Sequence, residues 1–447
     1  MKVFSSGIAA LLFVFGTLEA RTIGINVLLS AAPTGSVLQD LARHGTVVKT
    51  FGDIKAVSMR ADSSDLRTIR AKPYVVSANQ DVERKGSPLD TVPVADFTGG
   101  LNTWNLDAVN VTNFGGGRTV AETGRGVYVA VLDTGLHDSW RQYFPEQRIA
   151  GNYAKAFRGG GGEAGNVSEP TNMWEHDQNG HGTHVTSTVL GFSLRGTPVG
   201  GVAPQATVIP VKVLGQNGSG WSSVIAEGIV YIANLKRGPL AGSPVVINMS
   251  LGGPELDAVE QAAIDYAIAQ GVIIVAAAGN EGAAGMSYPG AYAPVISVAA
   301  SGWTGQWSKA NWWNTADVPE PTRAADAYIA DFSSRARAGQ DLDIAAPGSW
   351  VVGPYQVNSG QTSYYYNSGT SMASPHVAGI VALMAQKDPS LSAFRAEMIL
   401  EDSAIPLTAG CRTIMDPDVG SMQICWGSDA TGRGLATADA ALKKLGR

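Results

Sequence analysis

Five short runs rich in Val and Ile, at residues 127–132, 208–214, 245–249, 272–278 and 295–299, constrain this chain more than any other feature. Each is nearly continuous in apolar residues, the pattern of parallel strands covered on both faces rather than of strands with one wet side. Segments with helical periodicity at 221–236, 256–270 and 371–386 lie between or after them. That alternation predicts an α/β domain with a doubly wound, mostly parallel sheet. In such a sheet the reactive groups gather beyond the carboxyl ends of the strands, so the residues that follow each run are the ones to inspect.

A chain of 447 residues is too long for one core, and a second unit precedes the first run. Strand-like stretches at 23–29, 46–49, 56–59 and 74–77 alternate with helical patterns at 36–43 and 63–70. The order β-α-β-β-α-β is that of a small ferredoxin-like α+β domain. Residues 80–100 then turn charged and rich in Pro and Gly, which predicts an exposed connector open to cleavage. At the start, Lys2 is followed by the apolar run 8–15 and by small Ala20, the layout of a secretory signal peptide. The expected division is a signal peptide over 1–20, a small domain over 21–98 with its end inside 80–100, and a large domain over 99–447. No other stretch is apolar for the roughly 20 residues a membrane span needs, so the expectation is a secreted chain, extracellular or periplasmic, with no membrane partner. The net charge of −6 is spread through the sequence without a basic stripe, which argues against nucleic acid. In an oxidising compartment the two cysteines, Cys411 and Cys425, are expected to form a disulfide; a zinc site lacks a second Cys/His pair.

Three places carry chemistry. The 127–132 run ends directly on Asp133-Thr134-Gly135; His181 lies among glycines in Asn179-Gly180-His181-Gly182-Thr183-His184-Val185; Ser371 opens an apolar helix in Gly369-Thr370-Ser371-Met372-Ala373-Ser374-Pro375-His376. Each alone is weak. Asp-Thr-Gly also marks aspartic proteases, which need two such loops, and this chain has one. A His beside glycines is commonly structural, and a Ser at a helix start is commonly a cap. In the order Asp, His, Ser they point to acyl transfer by an activated serine.

The segments VAVLDTGL, NGHGTHV and GTSMASPHV, with Ala277-Ala278-Gly279-Asn280-Glu281-Gly282 and Asn248-Met249-Ser250-Leu251-Gly252-Gly253, resemble the subtilase (subtilisin-like) family of serine proteases from about Trp104 to the last residues. The resemblance implies a secreted serine endopeptidase with Asp133, His181 and Ser371 as its triad. It implies that Asn280 donates to the oxyanion beside the Ser371 backbone N–H. It implies that Ser250, Leu251, Gly252 and Gly253 form the edge that pairs with an extended substrate, and that Gly279 lines the first specificity pocket. Ser287 falls near the floor of that pocket, and its small size leaves room for large apolar side chains. The upstream unit resembles the family's inhibitory propeptide, an intramolecular partner that assists folding and occupies the cleft; the other reading is a permanently attached accessory domain. No cofactor is needed for the chemistry. A structural calcium ion stays open but unassigned, because the 191–200 loop, where relatives bind it, lacks a set of oxygen ligands.

Other residues have plainer readings. His184 is not expected to bind metal, since no HExxH pattern exists; Ser374 and His376 are expected to pack or hydrogen-bond. The 303–330 stretch, with four tryptophans, has no counterpart in the simplest members and is expected to be a surface insertion whose tryptophans cluster. Of the four sequons, Asn110, Asn166, Asn217 and Asn248, the last falls in an expected strand and should be buried. Polypeptides are the expected substrates. Three readings compete with a broad endopeptidase. A narrow processing protease calls for acidic pocket residues, and none is evident in the pocket segments. An inactive binding homologue would have lost a triad member. An esterase would place its serine in Gly-x-Ser-x-Gly, which Ser371 does not fit.

Overall fold

A computed structural model describes residues 21–93, 103–113, 117–157, 173–194, 196–315, 318–319, 322–355 and 363–446. The expected signal peptide and the last part of the connector lie outside them.

The large domain is built on an eight-stranded sheet. Its order runs Lys155–Ala156, Thr207–Lys212, Tyr128–Asp133, Val245–Met249, Val272–Ala277, Ile296–Trp303 and Ala327–Ile329, with Ile344–Pro347 also paired to Ile296–Trp303. Only the Ala327–Ile329 strand runs antiparallel to its neighbour. The five Val/Ile runs form five of these strands, and the three between which helices cover both faces are buried at every residue or all but one. Burial of that apolar surface, at about 25 cal/mol per Å², is what holds the layers together. The helices Ser222–Arg237 and Ala258–Ala269 lie on one side with Ile247, Ile274 and Leu132, and Thr370–Lys387 lies on the other with Val246, Ile273 and Val298.

The small unit has the predicted order. Its strands Thr22–Leu29, Gly45–Phe51, Ala56–Asp62 and Val75–Gln80 form an antiparallel sheet in the order second, third, first, fourth, with the helices Gly35–Leu41 and Asp65–Arg70 completing its own small core around Ile25, Val27, Met59 and Ile69.

Cys411 and Cys425 are joined, bridging opposite positions of the Gly410–Asp416 and Gly420–Trp426 hairpin. Asn248 is fully buried in its strand, as expected. The tryptophan stretch departs from expectation. Its tryptophans do cluster, but Trp312 and Trp313 are buried inside the main core rather than spread on the surface. Trp307 and Trp312 both pack on Tyr366, at 4.6 and 5.4 Å between ring centroids. Tyr366 gives them a partner, and the aromatic area buried there outweighs the polar residues around it.

Candidate active site

Asp133 is the last residue of its strand and fully buried. Its Oδ1 accepts the Thr134 N–H at 2.7 Å, and its main-chain carbonyl accepts from Val213 and Leu214, just past the end of the neighbouring strand. His181 is the first residue of the helix His181–Leu190. Gly180 before it has φ +87°, a left-handed conformation that favours glycine. Gly182 after it is equally required, because a Cβ there would lie 2.3 Å from the Gly135 carbonyl oxygen. The glycines around the histidine therefore allow its helix to press against the Asp133 turn. His181 Nδ1 sits 2.8 and 3.0 Å from the two Asp133 oxygens, which fixes the proton on Nδ1 and leaves Nε2 as an acceptor. That Nε2 is buried and has no hydrogen-bond partner.

Ser371 is the second residue of the helix Thr370–Lys387. Its hydroxyl donates to the Ser250 carbonyl at 3.1 Å, while the Ser250 hydroxyl donates to the Ser371 carbonyl at 2.8 Å. Asn248 Nδ2 donates to Ser250 Oγ at 3.0 Å, and Ser374 Oγ donates to Asn248 Oδ1. These bonds tie the start of the serine helix to the end of the Val245–Met249 strand. On the far side, Asn280 Oδ1 accepts both the N–H and the hydroxyl of Thr370 at 2.9 Å. With its oxygen anchored, the Asn280 amide group is turned toward the serine: a Cβ on Gly369 would lie 3.5 Å from Asn280 Nδ2 and 3.7 Å from the Ser371 nitrogen. Two donors around one point can hold a developing oxyanion.

These groups open on a cleft of about 940 Å³, lined by Leu251, Gly252, Gly253, Gly279, Asn280, Ser287 and Ser371 among others. Ser287 does lie there, and so does an acidic residue, Glu281, where none was evident in the pocket segments from sequence. Ser287 Oγ and Ser334 Oγ each donate to Glu281 Oε2 at 2.9 Å, and a Cβ on Gly279 would meet that oxygen at 2.3 Å. Two hydroxyls thus hold a carboxylate against the pocket wall.

A strand of the chain itself lies in the cleft. Glu83–Lys85 pairs with Ser219–Trp221, and on its other side Lys85 and Gly252 exchange N–H···O bonds of 2.9 Å. Beyond Ser371, Asp90–Pro93 pairs with Tyr364–Ser368. The small unit that precedes this strand docks through a buried polar seam. Asp81 accepts from the Ser223 N–H and hydroxyl at 3.0 and 2.6 Å, capping the helix Ser222–Arg237 from outside. Arg84 and Glu260 form a fully buried ion pair with an Nη2–Oε2 distance of 2.5 Å, and Asn26 bridges Asp81 and Asp257 at 3.0 and 2.8 Å.

The remaining histidines of the motifs are structural. His184 Nε2 lies 3.1 Å from the Val351 carbonyl, and His376 joins Met372 O and Asn105 Nδ2, both at 2.8 Å. Burial pushes them down to about 3 and about 4 respectively, so both are neutral near pH 7. Sequence reasoning missed Asp177, whose Oδ1 accepts the N–H groups of Asn179 and Gly180 and so shapes the entry to the His181 helix; burial raises it to about 6. It also missed a carboxylate group, Asp341, Asp343 and Glu397, whose ligand atoms lie within 4.8 Å of one another. Burial raises Asp343 and Glu397 to about 7, and Asp343 Oδ1 is buried without a partner. An oxygen-only set of this kind suits a hard cation. The 191–200 segment instead forms a hairpin of Gly191–Leu194 with Thr197–Gly200.

The chain is similar to known proteins in sequence and in fold. The model of the Subtilase family matches residues 124–437. The chain is 33% identical over 344 residues to a thermostable alkaline protease of Halalkalibacterium halodurans, covering 77% of this chain and 76% of that protein. It is 36% identical over 285 residues to subtilisin Savinase of Lederbergia lenta, covering 64% of this chain and 86% of the relative. Among solved structures, S41 psychrophilic protease matches 76% of this chain and 99% of its own with a TM-score of 0.54 at 29% identity. Fervidolysin of Fervidobacterium pennivorans shares the fold over 95% of this chain and 61% of its own, with a TM-score of 0.65 at 23% identity.

Proposed function

The chain belongs to the subtilase family and is a serine endopeptidase, and we propose that Asp133, His181 and Ser371 are its catalytic triad, exported in an inhibited form and acting on extended polypeptides. The observation that carries this reading is the buried His181, bonded to Asp133 through Nδ1 and holding Nε2 free as an acceptor, in a site where Ser371 stands beside two oxyanion donors.

Ser371 Oγ, once turned from Ser250 to His181, attacks the scissile carbonyl while Nε2 takes its proton. The carbonyl oxygen becomes an oxyanion between Asn280 Nδ2 and the Ser371 N–H. Collapse breaks the C–N bond, with the His181 proton passing to the leaving amine; water then releases the acyl group by the same steps in reverse order. Asp133 holds the tautomer and stabilises the cationic imidazole. No step calls for a cofactor, and the Asp341, Asp343 and Glu397 set suits a structural calcium ion. The unit over 22–80 acts as the inhibitor: its docked seam and the strand that follows it through the cleft support that role. Among the described residues no helix is long and apolar enough to cross a membrane, in keeping with export through the sequence at 1–20.

A fluorophosphonate probe tests the reading. The secreted full-length product should become labelled on Ser371 once its N-terminal unit is cut away and should then degrade unfolded casein. A folded, secreted product that neither labels nor cuts would leave the binding-protein rival standing.

The pocket takes large side chains along its glycine walls, and Glu281 adds a place for a cation at the end of a long one. Glu281→Gln should lower kcat/KM about tenfold on peptides with Lys or Arg before the cut bond, with little change for Phe or Leu. Equal losses on both peptide classes would remove Glu281 from specificity.

A further inference from the structure

The strand in the cleft carries one of its own peptide bonds past Ser371, and hydrogen bonds on either side give the register. Lys85 exchanges its N–H and C=O with Gly252, and the next residue, Gly86, turns its N–H the other way, to the Gly218 carbonyl at 2.9 Å. In an extended chain successive residues alternate in direction, so the Ser87 carbonyl turns back to the side of Gly252, where Ser250, Ser371 and Asn280 lie. A Cβ on Gly86 would lie 2.8 Å from the Ser250 oxygen and 3.4 Å from His181 Cε1. Past the nucleophile, the Leu89 N–H donates to the Ser368 carbonyl at 2.7 Å. The Leu89 nitrogen is 3.8 Å from the same built point on Gly369 that lies near Asn280 Nδ2 and the Ser371 nitrogen. Gly86 and Leu89 therefore bracket the triad, and only Ser87 and Pro88 stand between them.

We propose that Ser87–Pro88 is the peptide bond presented to Ser371 and that Pro88 protects it, so that the connector stays in the cleft as an uncut strand until the chain is cut at a different bond. The proposal rests on the protease reading above.

Hydrolysis at this position would join Ser371 Oγ to the Ser87 carbonyl carbon and break that carbon's bond to Pro88 N, with the Ser371 proton delivered to that nitrogen through His181. In an ordinary residue the leaving nitrogen carries a hydrogen. In Pro88 a ring carbon takes its place, and the ring has to be accommodated against a histidine that has no exposed surface. Misplacing reacting atoms by about 1 Å costs on the order of 100-fold in rate. The ring also helps the strand to dock. It fixes its own φ and holds Ser87 extended, the conformation the Gly252 edge requires. On the leaving side, the pairing of Asp90–Pro93 with Tyr364–Ser368, backed by the Trp307 and Trp312 rings on Tyr366, keeps the amine beside any acyl-enzyme that does form. A retained amine favours resealing over release. The residue that improves the fit therefore also blocks the cut.

The experiment uses the full chain with Ser371 intact, as wild type, Pro88→Ala and Pro88→Ser. N-termini are read by mass spectrometry over time, and active sites are counted with a fluorophosphonate. The wild type should label and mature without a product that begins at Pro88. Both variants should yield a product that begins at position 88, about 100-fold faster than any trace of that cut in the wild type. A labelled wild-type product beginning at Pro88 overturns the proposal, and so do labelled variants cut only where the wild type is cut and at its rate. A wild type that stays full length and unlabelled overturns the protease reading, and the proposal with it.

Discussion

Ser371→Ala should give a chain that is secreted and folded, remains at full length, takes no fluorophosphonate label and loses about a millionfold in turnover of unfolded casein, as removal of a triad serine does. The fold should tolerate the change. The lost hydroxyl makes one hydrogen bond, to the Ser250 carbonyl, and a bond of that kind contributes roughly 1 kcal/mol. The start of the helix keeps its other ties, from Ser250 Oγ to the Ser371 carbonyl and from Thr370 to Asn280 Oδ1. The oxyanion donors and the cleft walls are untouched, so once the N-terminal unit is cut away by an added protease, binding of a casein-derived peptide should persist while its hydrolysis stops. That separation matters, because a variant that merely misfolds would lose both. Maturation follows the same logic: if Ser371 makes the cut that frees the cleft, the alanine chain keeps its N-terminal unit. Maturation of the alanine variant at the wild-type rate, in a host lacking other secreted proteases, would take self-processing away from this triad.

The parts of this molecule that could be read from sequence are those whose signal is local. A strand buried on both faces is apolar at nearly every residue, and so 127–132, 245–249 and 272–278 announce themselves. The motif residues were visible for a related reason: each sits where a strand or helix ends, and the flanking glycines are forced by close backbone approach, as at Gly182 against Gly135. What escaped depends on partners distant in sequence. Ile344–Pro347 is four residues of Ile, Ala and Pro, and it is a strand because Ile296–Trp303 offers it an open edge. Glu83–Lys85 and Asp90–Pro93 look like an exposed, charged connector, and they become strands only because Ser219–Trp221, Gly252 and Tyr364–Ser368 flank them. Glu281 stands next to Asn280 in the sequence, but its place in the pocket comes from Ser287 and Ser334, and Ser334 is 53 residues away. The Asp341, Asp343 and Glu397 group is likewise assembled by the fold, from a strand edge and a helix. Local periodicity carries no trace of such meetings.

Asp133→Asn should lower kcat by about 10,000-fold with the site's geometry nearly unchanged. Asparagine has the size of aspartate, and its carbonyl oxygen can keep the Thr134 N–H bond that Oδ1 now accepts at 2.7 Å. The other end of the amide then faces His181 Nδ1, where Asp133 has only acceptors. An N–H₂ group there donates, which forces the imidazole proton from Nδ1 to Nε2. The ring that met Ser371 with a lone pair now meets it with a proton and has nothing with which to take the serine's hydrogen. The amide also lacks the negative charge that would stabilise a cationic imidazole as the reaction proceeds. Because both residues are fully buried, water cannot easily supply a substitute base at that nitrogen. The measurement is kcat and KM on one peptide, with thermal unfolding of the same preparation as a control. A fall in kcat with KM and unfolding temperature close to wild type is the expected result. A fall in unfolding temperature large enough to account for the lost activity would make Asp133 a structural residue, and retention of more than about a tenth of kcat would break the link between its carboxylate and the His181 tautomer on which the mechanism depends.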